Sequence, residues 1–333
     1  MSNTIIIYIL LSFILFFLCS KVSYQLNLID LPNKRKNHSI PTAYTGGIAI
    51  SGILLIALQT FELFNVSDRE LNLILSMAFL IALIGLVDDK FNLNAGGKIS
   101  LQIFPTFYLI IFGNLALNQI GDYNYFLLEL GAFKIPFTLL SVLFLTNAFN
   151  YFDGLDGTLS FTSISTLVIL YFLTPDENFK LFLITIIIPI SIFLFFNFSI
   201  LKLPKLFLGD SGSLLLGFIF SFLLIYLANK NFVHPILLAW SVAIFVYEFI
   251  SINLIRLMNK KNPFKPGLDH LHHKLFKKTK SIFLVNFFIF SANIIFFIIG
   301  YFSFSLINPL SSLFFYIFFC IMFFISRMHF QKR

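Results

Sequence analysis

Residues 147–157 read NAFNYFDGLDG, and this polar stretch separates an apolar run over 131–148 from another over 158–174. Such runs approach the roughly 20 apolar residues that a bilayer-spanning helix needs. The stretch therefore reads as a short loop between two spanning helices. Asn150, Asp153 and Asp156 recur at every third position, which places them along one face of a helical turn. Gly154 and Gly157 let the backbone bend and approach a ligand closely. Carboxylate and amide oxygens converging on one spot suit a hard divalent cation and the phosphates it carries. The ordinary alternative is a polar loop with Asp and Asn as turn formers. The stretch alone leaves both readings open.

The whole chain favours a membrane setting. Of its 333 residues 58% are apolar and 11% charged, with mean hydropathy +0.91. Soluble domains carry about 25% charged residues, so too little charge is present to solvate a globule of this size. A net charge of +8 could point to nucleic acid. In a membrane protein a basic excess more often records topology, so no nucleic-acid partner is expected. Cys19 and Cys320 both lie in apolar runs, which argues against a disulfide framework or a cysteine metal site.

The expected fold is all-α, a polytopic membrane protein with about eleven spans near 4–20, 44–61, 71–87, 99–117, 131–148, 158–174, 181–200, 213–229, 235–257, 282–302 and 306–326. No soluble domain or repeat interrupts them. The chain reads as one transmembrane domain over 1–333, with its motifs between about 30 and 275. The first run lacks a basic leader and a small-residue cleavage site, and Lys21 follows it, so a retained anchor is expected. The odd-numbered loops and the C-terminal tail hold 19 of the 23 Lys and Arg residues. By the positive-inside rule these loops and the C-terminus face the cytoplasm, and the N-terminus faces out.

Nearly all remaining polar chemistry falls in the odd loops. The first, DLPNKRKNHSIPTAYTGG, combines Lys34, Arg35, Lys36 and His38 with turn formers and could hold a lipid or nucleotide phosphate. A stop-transfer charge cluster is the alternative. The third begins GLVDDK, with Lys98 and Gln102 soon after. Asp88 and Asp89 at a helix C-terminus oppose the helix dipole, so a metal-binding or base role suits them better than capping. In the seventh loop, KLPKLFLGDSGS, Asp210 precedes a helix. It can serve as an N-cap, or as an acid aimed at Mg²⁺ beside phosphate-binding N–H groups. The ninth loop carries eight Lys or Arg residues and the cluster DHLHHK. His270, His272 and His273 could bind zinc, but they lack the carboxylate of the usual helical zinc motifs; a donor set for a diphosphate fits better. Glu248 lies inside the ninth run, as a functional group or as a partner for Arg256 two turns on.

Together, DLPNKRKNHSIPTAYTGG, GLVDDKFNLNAGGKISLQ, NAFNYFDGLDG, FLGDSGS and PFKPGLDHLHH resemble, in order, the motifs of the polyprenyl-phosphate N-acetylhexosamine-1-phosphate transferases (glycosyltransferase family 4 type). The eleven-span count and the HLHH form resemble the bacterial undecaprenyl-phosphate GlcNAc-1-phosphate branch. That resemblance implies transfer of the sugar phosphate from a UDP-N-acetylhexosamine to undecaprenyl phosphate at the inner membrane, with release of UMP. It implies Mg²⁺, or Mn²⁺ in its place, held by Asn150 and Asp210. Asp88, Asp89 and Asp153 would form the catalytic group. Asp156 and Phe207 would contact uracil, and His270, His272, His273, Arg35, Lys36 and Lys98 would bind phosphate or sugar. The products would initiate O-antigen, common-antigen or teichoic-acid linkage synthesis, and a homodimer is a further expected assembly. One departure is visible: Gly267 and Leu268 stand where the family often has an Asp-Arg pair. The competing class is a polytopic transporter with a cytoplasmic metal or anion site. Transporters usually place charge near the bilayer midplane, whereas here the acids gather at the loop boundaries.

Overall fold

The computed structural model describes residues 2–32, 40–63, 68–263 and 267–332. Its helices are α1 (Ser2–Gln25), α2 (Gly46–Leu63), α3 (Arg69–Phe91), α4 (Ala95–Ile111), α5 (Lys134–Asn150), α6 (Thr158–Leu173), α7 (Glu177–Asn197), α8 (Gly209–Asn229), α9 (Pro235–Ser241), α10 (Ala243–Met258), α11 (Leu271–Thr279), α12 (Ile282–Leu306) and α13 (Pro309–Lys332). Two short antiparallel pairs join them, β1 (Ile29–Asp30) with β2 (Thr42–Ala43) and β3 (Gln119–Asp122) with β4 (Leu127–Glu129). Among the described residues seven helices are long and apolar enough to cross a bilayer, or eight if α9 and α10 form one bent span. Three more apolar helices, Gly46–Leu58, Ala95–Ile111 and Thr158–Leu173, are shorter. The chain is an all-α integral membrane protein, and α11 is a short amphipathic helix between two apolar ones.

Two elements depart from the run-length reading. The fourth run was expected to reach residue 117, but α4 stops at Ile111. Gly113 N–H turns back to the Tyr108 carbonyl and Asn114 adopts φ 53°, a left-handed stop that leads into the β3–β4 hairpin. The ninth run is bent by 71° between α9 and α10. Neither Gly nor Pro marks that bend. The carbonyl of Ser241 instead accepts from Thr166 Oγ1 (3.0 Å) and Asn293 Nδ2 (3.2 Å), so side chains of α6 and α12 satisfy the broken backbone.

Helix α8 forms the axis of the bundle, and every residue from Ser211 to Leu223 is buried. In lipid, helices associate through close packing of small residues rather than by expelling water. The contacts around α8 follow that rule. Gly47 of α2 lies against the backbone of Gly212, and Gly85 of α3 against that of Asp210 and Ser211. A Cβ on Gly217 would come within 2.6 Å of Thr146 Cα on α5. The C-terminal ends of α3 and α5 and the N-terminal end of α8 thereby meet at one end of the bundle. The turn after α1, at Asn27, opens on the same cleft.

Gly85→Ala forces a methyl into the Asp210 carbonyl, 2.5 Å away, whereas a methyl on Gly52 would meet nothing within 4 Å. Overpacking at such a contact costs about 1–3 kcal/mol. Thermal unfolding in detergent should show a clear loss for Gly85→Ala and none for Gly52→Ala.

Candidate functional site

The cleft at this end encloses about 1060 Å³. Asp88, Asp89, Asp153, Asp156 and Asp210 all line it, together with Phe207, Lys205 and His273. With Asp30, six carboxylates from four separate segments of the sequence thus share one space.

Backbone pairing brings the first and seventh loops together. Phe207 N–H donates to Ala43 O (2.8 Å), Gly46 N–H to Phe207 O (3.0 Å) and Gly47 N–H to Leu208 O (2.9 Å). Tyr44 is carried onto the cleft wall by the same pairing. Asp89 accepts from the amides of Asp210 (2.9 Å) and Ser211 (3.2 Å), so a carboxylate from α3 caps the first turn of α8. Leu208 at the N-cap position provides no side-chain cap of its own. Lys98 Nζ lies 2.7 Å from both Asp88 Oδ2 and Asp210 Oδ2. Asp88 Oδ1 also accepts from Leu93 N–H (2.8 Å), closing the turn after α3. Asn150 Nδ2 donates to Asp210 Oδ1 and to Ser213 Oγ, each at 2.7 Å. Asp210 therefore collects Asp89 through its amide, and Lys98 and Asn150 through its carboxylate.

The turn after α5 sets the other wall. Gly157 has φ 76°, a left-handed conformation that favours glycine, and a Cβ there would also meet the Phe198 ring at 2.7 Å. Asp156 binds Lys205 Nζ at 2.6 Å, and that ammonium lies 5.3 Å from the centre of the Phe207 ring. Burial pushes the Asp153 carboxyl up to about 8, reinforced by Asp210 and Asp156, with Lys98 acting the other way. Among the described residues six carboxylates, Asp30 included, stand beside three ammonium groups, Lys90, Lys98 and Lys205.

Of the three histidines, His273 lines the cleft, while His270 and His272 are buried behind it. Gly154 leaves room for His272, whose Nε2 would collide with any Cβ there. Burial pushes His270 down to about 3, with Arg256 adding to the effect, and burial lowers His272 and His273 as well. These rings are neutral at physiological pH. Among the described residues no group of three or more His, Cys, Asp or Glu side chains is placed to hold a metal ion. Asp269 is held by both Arg256 Nε (2.9 Å) and Nη2 (2.7 Å). Burial alone would raise its carboxyl; the Arg256 bonds outweigh burial and hold it at about 2. Glu248 does not pair with Arg256. It pairs with Arg327 of α13 at 2.7 Å, a partner 79 residues away that helical spacing could not reveal.

Arg35 and Lys36 lie outside the described residues. The other expected site residues gather at or beside the cleft, except that His270 and His272 stand behind its wall. Lys205, Tyr44 and Asn197 line it as well. The available signal for Lys205 was its position two residues before Phe207 in a loop already singled out.

The fold and this acidic cleft define an integral membrane protein with a site suited to cationic or cation-bound ligands. The sequence comparisons give its family. The model of glycosyl transferase family 4 matches residues 71–228. An undecaprenyl-phosphate alpha-N-acetylglucosaminyl 1-phosphate transferase of Yersinia pestis is 29% identical over 284 residues, covering 83% of this chain and 77% of that protein. The enzyme of the same description from Escherichia coli K12 is 28% identical, covering 83% and 76%. A probable undecaprenyl-phosphate N-acetylglucosaminyl 1-phosphate transferase of Bacillus subtilis is 31% identical over 270 residues, covering 77% and 71%. The chain belongs to glycosyl transferase family 4.

The buried histidines carry a pH signature. An unfolded His270 takes up a proton below its ordinary value of 6.5, while the folded one stays neutral down to about 3. Stability is therefore lost as pH falls below 6.5, by about 1.4 kcal/mol at pH 5.5 for one such group. Asp153 contributes with the opposite sign, so the comparison must be against a variant. His270→Gln should lose less thermal stability than the parent between pH 7.5 and 5.5; equal slopes would contradict a buried neutral His270.

Proposed function

We propose that this chain transfers N-acetylhexosamine 1-phosphate, with GlcNAc 1-phosphate as the first donor to test, from the UDP-sugar to undecaprenyl phosphate. The observation that carries this reading is the convergence of Asp88, Asp89, Asp153, Asp156 and Asp210 with Lys205 and Phe207 on one cleft at the end of a membrane bundle, with Lys98 bridging Asp88 and Asp210. Similarity to three transferases of that description supports it. The cleft volume, about 1060 Å³, is at the top of the usual small-molecule range and has room for a nucleotide sugar beside a lipid headgroup.

Two anionic substrates must meet here, so charge neutralisation governs the chemistry. Mg²⁺ fits this donor set. It commonly uses one or two carboxylates and leaves its remaining positions to water and substrate phosphates, so a full protein cage is not needed. The pairing of Asp88 and Asp210 with the Lys98 ammonium supports this reading, since these oxygens already face a positive charge. Asp210 and Asn150 would hold the ion, which would offset the diphosphate charge. Mn²⁺ would use the same oxygens.

Among the protein groups, Lys98 orients Asp88 and Asp210. Phe207 offers a ring for uracil, and Asp156, held by Lys205, offers an acceptor for its N–H. The neutral His273 presents hydrogen-bonding nitrogens to the sugar or diphosphate. An oxygen of the lipid phosphate attacks the sugar-bearing phosphorus, and the bond to the bridging oxygen breaks to release UMP. An ionised lipid phosphate needs no protein nucleophile, so direct in-line attack is preferred to a covalent Asp intermediate. The site lies on the cytoplasmic side of the bacterial inner membrane, where UDP-sugars are found, and the product starts a lipid-linked surface glycan.

Purified protein should release UMP from a UDP-N-acetylhexosamine only when both undecaprenyl phosphate and Mg²⁺ are supplied. No UMP across a panel of such donors would reject the assignment. Asp210→Asn should lower kcat by about 10²-fold or more while leaving the protein folded. Near-normal turnover of that variant would remove Asp210 from the metal site.

A further inference from the structure

Glu248 and Arg327 are both fully buried, at 1% and 2% exposure, yet neither lines the cleft. A buried ion pair is a weak source of net stability, because desolvation of two charges offsets their attraction. Its bonding pattern points to another role. Arg327 Nε donates to Glu248 Oε2 (2.7 Å), and Nη2 donates both to Glu248 Oε1 (3.0 Å) and to the Asp269 carbonyl (2.8 Å). Glu248 Oε1 in turn accepts from Leu271 N–H (2.8 Å), the first amide of α11. His270 at the N-cap position makes no side-chain cap bond, so the cap of α11 comes from α10. A carboxylate there also complements the helix dipole.

Residues 269–271 are thus gripped on one side by Arg256 through the Asp269 carboxylate and on the other by Glu248 and Arg327 through backbone groups. The next residues, His272 and His273, pack against Gly154 and face the cleft, respectively. A continuous set of contacts therefore runs from α13 through α10 and the first turn of α11 to the turn that carries Asp153 and Asp156.

We infer that Glu248 and Arg327 are positioning residues that lock the first turn of α11, and with it His273, against the Asn150–Gly157 turn. Resting on the transferase reading, this assigns them to nucleotide-sugar binding: they set where His273 meets the donor and leave the lipid acceptor untouched.

The test uses the full-length protein in detergent and three forms: the parent, Arg327→Lys, and the double variant Glu248→Met/Arg327→Met. The apolar double variant removes the clamp without stranding a buried charge and is expected to fold. Hydrogen–deuterium exchange over 269–273 should quicken at least tenfold in both variants, with α5 and α8 unchanged. KM for the UDP-sugar should rise about tenfold, while KM for undecaprenyl phosphate stays within twofold. Unchanged exchange over 269–273 would overturn the inference. So would a general rise across the bundle in the double variant, or an equal rise in both KM values. Should the parent release no UMP from any donor, the transferase reading fails, and the exchange measurement still decides whether the clamp exists.

Discussion

The structure depends on one carboxylate reaching across from a neighbouring helix. Asp89 of α3 caps the first turn of α8 through the amides of Asp210 and Ser211, and it can do so because Gly85, one turn earlier, lets the two backbones touch. Any side chain at Gly85 would move the end of α3 away from α8, and Asp88 with it. That would separate Asp88 from Asp210 and dismantle the bridge that Lys98 makes between them. Packing and electrostatics are therefore a single constraint here. A glycine contact in the membrane interior fixes the spacing of charges at its edge.

That constraint gathers carboxylates in one cleft, where among the described residues they outnumber the ammonium groups beside them. Lys98 and Lys205 each pair with part of that set, while burial, reinforced by Asp210 and Asp156, raises the Asp153 carboxyl to about 8. Carboxylates crowded in this way are better accommodated when a cation joins them. Anions brought in without a cation would be repelled by the same carboxylates. A site of this kind suits a negatively charged substrate only when the charge arrives already paired.

The opposite approach is taken at α11. Its histidines are kept neutral by burial, and the charges around them, Asp269 with Arg256 and Glu248 with Arg327, are matched in pairs. The bend at Val242 separates α9 from α10, the helix that carries both Glu248 and Arg256. Thr166 and Asn293 satisfy the carbonyl at that bend, so its irregular backbone is tolerated inside the bundle.

Much of this was legible in the sequence. Eleven apolar runs, sparse charge and the polar stretch 147–157 determined an all-α membrane protein, because a backbone in lipid has few ways to satisfy its own hydrogen bonds. The threefold spacing of Asn150, Asp153 and Asp156 and the Asp residues of GLVDDK and FLGDSGS likewise marked the site, since carboxylates are costly near a membrane and stand out there. Partners were another matter. Spacing along one helix suggested Arg256 for Glu248, whereas the partner is Arg327, on a helix two elements beyond α11 in chain order. The role of Lys205, the retreat of His270 and His272 behind the wall and the bend without Gly or Pro were equally invisible. A linear pattern reports what a residue can bond with; only the packing of α8 against its neighbours decides which groups come within reach.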